Sequence, residues 1–186
     1  MADTLWLAFG KEFRVLGLAG DEAVEIIASP LPLLDLGDIT AATIVSGETP
    51  RVYFGHSDGR VSIYSTTDYR CQKIVHVSLN RITTLAESAG FLWAGYSSGA
   101  LFVYDVTKTP WVVKKEWRAH TNPVVSLVAD RSSIWKLNRL QVLSLGVENV
   151  IGVWDGMLEE DWMGKRLYNC GFSQRLILIR KRLGCT

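Results

Sequence analysis

The sequence has 186 residues, 48% of them apolar and 10% aromatic, enough for a packed domain or a piece of a larger one and too apolar for wholesale disorder. Twenty basic and 19 acidic residues leave a net charge of +1, which gives no global reason to invoke nucleic acid or a membrane. The balance is uneven: through Met163 the chain carries 14 basic and 19 acidic residues, and after it six basic residues and no acid. Three widely spaced cysteines without a CxxC pair point to neither a zinc site nor a disulfide framework and suit a reducing compartment. Met1-Ala2-Asp3-Thr4 lacks the basic start of a secretory signal, and no apolar run reaches the roughly 18–20 residues that span a bilayer. A cytoplasmic setting, at most peripheral to membranes, is the expectation.

Residues 5–10 read as a short buried strand ending in Gly, residues 12–18 alternate around Phe13, Val15 and Leu16, and residues 23–28 form a third apolar run. Ser29-Pro30-Leu31-Pro32 ends it, because proline fixes φ and removes a ladder donor. Residues 1–38 therefore read as strands belonging to part of a repeat unit.

From residue 39 an internal repeat appears. Its first unit runs through Ala41-Ala42-Thr43-Ile44-Val45, Val52-Tyr53-Phe54-Gly55, a turn at Asp58-Gly59, Val61-Ser62-Ile63-Tyr64 and Cys71-Gln72-Lys73-Ile74-Val75. The second runs through Ile82-Thr83-Thr84-Leu85, Phe91-Leu92-Trp93-Ala94-Gly95, a turn at Ser98-Gly99, Leu101-Phe102-Val103-Tyr104 and Trp111-Val112-Val113. The third has His120, Val124-Val125-Ser126-Leu127-Val128, Val142-Leu143-Ser144-Leu145-Gly146 and Ile151-Gly152-Val153-Trp154-Asp155. Gly55 to Gly95 and Tyr64 to Tyr104 are each 40 residues apart, whereas Tyr104 to Trp154 is 50. The excess falls near residues 131–136, read as an insertion between the first two strands of the third unit. Asp-Gly and Ser-Gly between apolar runs are hairpin signals. A period near 40 with four short strands fits a propeller blade.

In such a blade an acid in the hairpin turn, six residues before the aromatic that ends the third strand, accepts a hydrogen bond from a histidine at the blade entrance. The candidate lock is His120, Glu148 and Trp154. Asp58 and Tyr64 hold the equivalent places in the first unit, and Tyr104 in the second, where Ser98 replaces the acid. His120 is expected buried and structural, and His56, beside the Asp58-Gly59 turn, exposed. The segment after the third hairpin does not read as a fourth strand, and residues 164–186 read as a basic tail outside the fold.

These features resemble WD-repeat proteins over residues 39–155, which implies an all-β fold: a partial WD-repeat propeller of about three four-stranded blades (residues 39–163) plus N-terminal blade fragments. A narrower likeness rests on residues 111–124, on Ala129-Asp130-Arg131-Ser132-Ser133-Ile134-Trp135 and on residues 151–158. These resemble the last propeller blades of fungal, synaptojanin-like inositol-polyphosphate 5-phosphatases, in which a catalytic domain follows the propeller. The family's Trp-x-Gly-Asp-x-Asn and Pro-Ala-Trp-Cys-Asp-Arg motifs are absent from this sequence. The resemblance therefore implies a non-catalytic interaction scaffold associated with phosphoinositide dephosphorylation, with a truncated gene product as the accompanying expectation. The alternative is a stand-alone WD-repeat scaffold unrelated to phosphoinositides.

Other motifs weigh less. Gly95-Tyr96-Ser97-Ser98-Gly99 has the Gly-x-Ser-x-Gly spacing of a nucleophile elbow, but an apolar strand follows it where the elbow needs a helix. His56, His76 and His120 form no HxH or HxxxH pair, so no metal is indicated, and no motif implies a cofactor or a catalytic residue. Lys114, Lys115, Arg118, Arg131 and Trp135 interleave basic and aromatic groups. They read first as the solvated face of an outer strand, and second as contacts for a protein partner or a membrane phosphoinositide headgroup. The acidic excess before Met163 argues against nucleic acid. An unclosed propeller leaves strand edges and apolar faces uncovered, so the chain alone is expected to be poorly soluble or partnered.

Overall fold

The computed structural model describes residues 3–19, 22–28, 35–130, 140–156, 158 and 166–169. Among them every regular element is a β-strand, and the strands build four antiparallel sheets. An N-terminal sheet holds β1 (Asp3–Phe9), β2 (Glu12–Ala19) and β3 (Glu22–Ala28). The first four-stranded sheet is β4 (Ile39–Val45), β5 (Arg51–His56), β6 (Arg60–Ser65) and β7 (Cys71–His76). The second is β8 (Ile82–Ser88), β9 (Phe91–Tyr96), β10 (Ala100–Asp105) and β11 (Val112–Arg118). The third is β12 (Val124–Asp130), β13 (Gln141–Gly146), β14 (Val150–Asp155) and β15 (Arg166–Asn169). Each is a meander in which neighbours in sequence are neighbours in the sheet.

The repeat is carried into register. Tyr53 pairs with Ile63, Trp93 with Val103 and Leu143 with Val153, the same ten-residue step in all three hairpins. A bulge recurs at the start of each first strand, at Ile39/Ala41, Ile82/Thr84 and Val124/Ser126. Such bulges add local twist, which lets successive blades fan around an axis. The long connection of the third unit does fall between its first two strands, but Arg131, Trp135 and the rest of residues 131–139 lie outside the described residues.

One expectation changes. Residues 164–186 read as a tail, yet Arg166–Asn169 pair with β14, from Val153↔Arg166 to Val150↔Asn169. The outer edge of β14 presents a row of unpaired N–H and C=O groups. The four residues Arg166-Leu167-Tyr168-Asn169 pair along it, although so short a run carries no alternation pattern of its own.

The sheets stack face to face. Trp6, Phe13, Phe54 and Tyr64 form an aromatic cluster between the N-terminal and first sheets, with Trp6 stacked on Phe13 at 5.2 Å and Tyr64 edge-on to Phe13 at 4.7 Å. Tyr53, Ile63, Ile82, Leu92 and Tyr96 fill the space between the first and second sheets. Trp93, Leu101, Val124, Val142 and Trp154 fill that between the second and third. The first strands β4, β8 and β12 adjoin one another on the inside, where the Thr84 hydroxyl accepts the Leu127 amide at 3.1 Å and Thr40 donates to the Ile82 carbonyl.

The turns are held by glycine. Gly59 (φ +77°) and Gly99 (φ +83°) sit 40 residues apart in their hairpins. The Gly59 carbonyl accepts the amides of Val77 and Ser78, and the Gly99 carbonyl those of Ala119 and His120. A Cβ at Gly59 would lie 1.8 Å from the Ser78 carbonyl oxygen, and one at Gly99 2.3 Å from that of His120. Gly10, in the β1–β2 turn, likewise accepts the Ile39 amide at 2.7 Å. By that shared contact β1, β2 and β3 occupy the second, third and fourth positions of a blade. Among the described residues no strand fills the first position beside β1.

Candidate functional site

The polar centre of the third sheet grows from a backbone requirement. β11 must turn inward to start β12, and His120 ends that turn with its amide on Gly99 at 3.0 Å. Its ring is then carried under the β13–β14 hairpin. Nδ1 lies 2.8 Å from Glu148 Oε1, and Nε2 2.7 Å from Ser144 Oγ. Trp154 Nε1 donates to the same Ser144 oxygen at 2.7 Å.

With a neutral His120 ring, Nδ1–H donates to the Glu148 carboxylate and Nε2 accepts the Ser144 hydroxyl, whose oxygen also accepts from Trp154. In that tautomer the chain of donation runs Trp154 to Ser144 to His120 to Glu148. His120, Ser144 and Trp154 are buried. The predicted set of His120, Glu148 and Trp154 is thus brought together, and Ser144 is the member that sequence reasoning missed.

Glu148, His120 and Ser144 also have the connectivity of an orienter, a base and a nucleophile. Ser144 is 0% exposed and its oxygen is held by two partners, so no substrate reaches it. Ser97 is the other hydroxyl with a catalytic spacing. It follows β9 in a tight hairpin that leads straight into β10, with its amide on the Arg81 carbonyl at 3.0 Å, and not into a helix.

The first sheet solves the same problem with different residues. Gly37 stands at the blade entrance, where a Cβ would be 2.4 Å from Ser57 Oγ. Its amide donates to Asp58 Oδ2 at 2.8 Å, and its carbonyl accepts from His56 Nδ1 at 2.8 Å. His56 Nε2 meets Ser62 Oγ at 2.7 Å. His56, expected exposed, is 3% exposed: the last residue of β5 points inward, and the polar Asp58-Gly59 turn beside it says nothing about that side chain. Burial lowers its pKa, partly offset by the Gly37 carbonyl and Asp58. Burial raises that of Asp58, but hydrogen bonds from the Gly37 and Arg60 amides and the Arg60 charge more than offset it, and the carboxyl ends below its ordinary value.

Tyr64 and Tyr104 are not joined to a histidine. Tyr64 packs in the aromatic cluster behind the N-terminal sheet, and burial raises its pKa. Tyr104 hydrogen-bonds Tyr96 hydroxyl to hydroxyl at 2.8 Å in the core, and burial raises its pKa to about 12. The Tyr96–Tyr104 hydroxyl pair stands in the second blade where the first has His56 and the third His120.

Among the basic candidates, Lys114 lies 5.9 Å over the Phe91 ring, a cation–π distance. Arg118 donates to the carbonyls of His120 at 3.3 Å and Thr121 at 3.1 Å, which splints the turn that presents His120. Lys115 lies on β11 between them. Among the described residues no group of three or more His, Cys, Asp or Glu is placed to hold a metal ion, and no helix is long and apolar enough to cross a membrane.

Residues 37–152, which hold these locks except for Trp154, match the WD40 repeated domain. The chain belongs to the WD40-repeat family. This WD40 chain is 35% identical over 171 residues to a probable inositol polyphosphate 5-phosphatase of Schizosaccharomyces pombe, a match that covers 88% of the chain and 14% of that relative. Its fold is that of a chain in the mitotic checkpoint complex (TM-score 0.66, 17% identity, 89% of this chain and 48% of the other). It is also that of the computationally designed Ika8 protein (TM-score 0.61, 14% identity, 94% and 52%). The WD40 chain thus spans about half the length of these solved structures and a seventh of the S. pombe relative. Its four sheets do not close on themselves, and the fold is a partial propeller.

Proposed function

We propose that this chain is a non-catalytic interaction scaffold of an inositol-polyphosphate 5-phosphatase system, binding protein partners through its blades rather than turning over substrate. The single observation that carries this reading is the likeness to the S. pombe relative along most of the chain. The polar geometry supports the non-catalytic part: His56, His120, Ser62 and Ser144 are spent on hydrogen bonds inside the sheets. A cytoplasmic, membrane-peripheral setting, with phosphoinositide contact through the basic residues after Met163, belongs to the same proposal. Fold alone does not choose a partner, because propellers host many.

The test has two arms. The purified chain is incubated with phosphatidylinositol-bisphosphate vesicles and with soluble inositol polyphosphates, and inorganic phosphate is measured. Release is expected to equal that of buffer; turnover that follows the protein through purification would refute the scaffold reading. In the second arm, pull-down from a fungal lysate is expected to enrich a phosphoinositide-metabolising assembly over a His120→Ala/Ser144→Ala control. Equal recovery by both baits would count against it.

A further inference from the structure

A cleft of about 310 Å³ opens where the first and second sheets meet, at the end of the blades away from the Asp58-Gly59 turn. That volume is at the low end of the range of about 300–1,000 Å³ seen for small ligands. Its floor is apolar. Tyr53 and Ile63 are buried, Trp111 lies 6.0 Å from Tyr53 at an interplanar angle of 34°, and Val106 completes the wall. Its mouth is basic. Arg51 and Lys73 line it from β5 and β7, both are exposed, and neither is ion-paired among the described residues. No acid lines the cleft.

Asp105, at the head of the loop bearing Thr107, spends its carboxylate on the Thr107 amide at 3.1 Å and hydroxyl at 2.5 Å. Arg51 and Tyr53 alternate onto the same face of β5, and the Arg51 charge partly offsets the rise in the Tyr53 pKa that burial causes. Two cations above an aromatic and aliphatic floor favour an anion on an apolar stem.

We propose that this cleft seats one anionic side chain of a partner peptide, its charge held by Arg51 and Lys73 and its apolar stem lying on Tyr53, Ile63, Val106 and Trp111. The chemistry is shared by phosphate-tipped and carboxylate-tipped side chains. The proposal does not depend on the phosphoinositide connection.

The experiment titrates the 15N-labelled 186-residue chain with phenyl phosphate, phenylacetate, inorganic phosphate and, separately, phosphatidylserine vesicles, followed by amide and indole shifts. Saturable binding of an aryl anion is expected, with shifts centred on Trp111, Thr107 and Thr109. Phenyl phosphate alone would indicate a phosphorylated partner side chain, and phenylacetate as well a carboxylate. Inorganic phosphate should bind at least about tenfold more weakly, because it lacks the stem. Arg51→Gln/Lys73→Gln should lose about tenfold in affinity. Gln72→Glu, which adds a repelling charge at the exposed mouth, should weaken the aryl anions too, so the test survives if the double variant is perturbed. Shifts mapping elsewhere, inorganic phosphate binding as tightly as phenyl phosphate, unchanged affinity in both variants, or vesicle binding without aryl-anion binding would overturn the proposal.

Discussion

Ser144 Oγ is the atom on which the third blade turns, since it accepts from Trp154 and donates to His120. Ser144→Ala removes the hydroxyl that a buried indole N–H and a buried ring nitrogen both bond, at a cost of about 1–3 kcal/mol. Urea unfolding should show a lower midpoint with an unchanged m-value. Trp154→Phe, which removes the N–H and keeps an aromatic in the core, should cost less than Trp154→Ala, which also loses the packing. Residue-scale legibility followed spacing. The six-residue step from Glu148 to Trp154 was readable because a hairpin of fixed register enforces it. A serine inside a strand has no such step and blends into the alternation. His56 was misjudged because its sequence neighbours are polar while β5 turns its side chain inward.

His56 also sets a pH dependence. Its folded pKa lies below the ordinary 6.5, so the folded state prefers the neutral ring and the unfolded chain binds the extra proton. The stabilisation is full above about pH 6.5 and is lost as pH falls through the lower folded value. Thermal melts from pH 7.5 to 5 should therefore show a falling Tm in the native chain and a flatter profile in His56→Asn. A steeper fall in the variant would contradict the assignment.

At the scale of the element, the glycines separate conformation from contact. Gly59→Ala adds a methyl 1.8 Å from a backbone oxygen at φ +77°; it should cost about 3 kcal/mol or more, because backbone rather than a side chain must yield. Gly10→Ala meets nothing within 4 Å at φ +58°, so only the left-handed backbone is charged, about 1–2 kcal/mol. Gly47→Ala has open space and no positive φ and should fall within about 0.5 kcal/mol of the native chain. Denaturant midpoints in that order test the ranking. The strands were legible from alternation and turn residues, and their ten-residue hairpin step confirms the repeat. β15 was not, because Arg166-Leu167-Tyr168-Asn169 is placed by the open edge of β14 and not by a pattern of its own.

For the whole molecule, the feature that decides behaviour in solution is the N-terminal sheet. One face packs Trp6, Phe13 and Val15 against the first four-stranded sheet. The other exposes Leu5, Leu7, Phe9 and Leu18, each more than 40% accessible. In the interior blades the corresponding faces are covered by the next sheet, so this face is built for a neighbour. The edge of β1 adds a row of backbone groups that has no neighbour among the described residues. A propeller's extent was legible from counting repeats; the first position that no described strand fills beside β1 was not, because it required knowing that Gly10 plays the part of Gly59 and Gly99.

Sedimentation velocity of the 186-residue chain over about a hundredfold range of concentration tests the open propeller most directly. The sedimentation coefficient is expected to rise with concentration, and a Leu7→Glu/Phe9→Glu variant to keep its far-UV spectrum while shifting toward the monomer. A native chain that stays a single monomeric species across the whole range would contradict it.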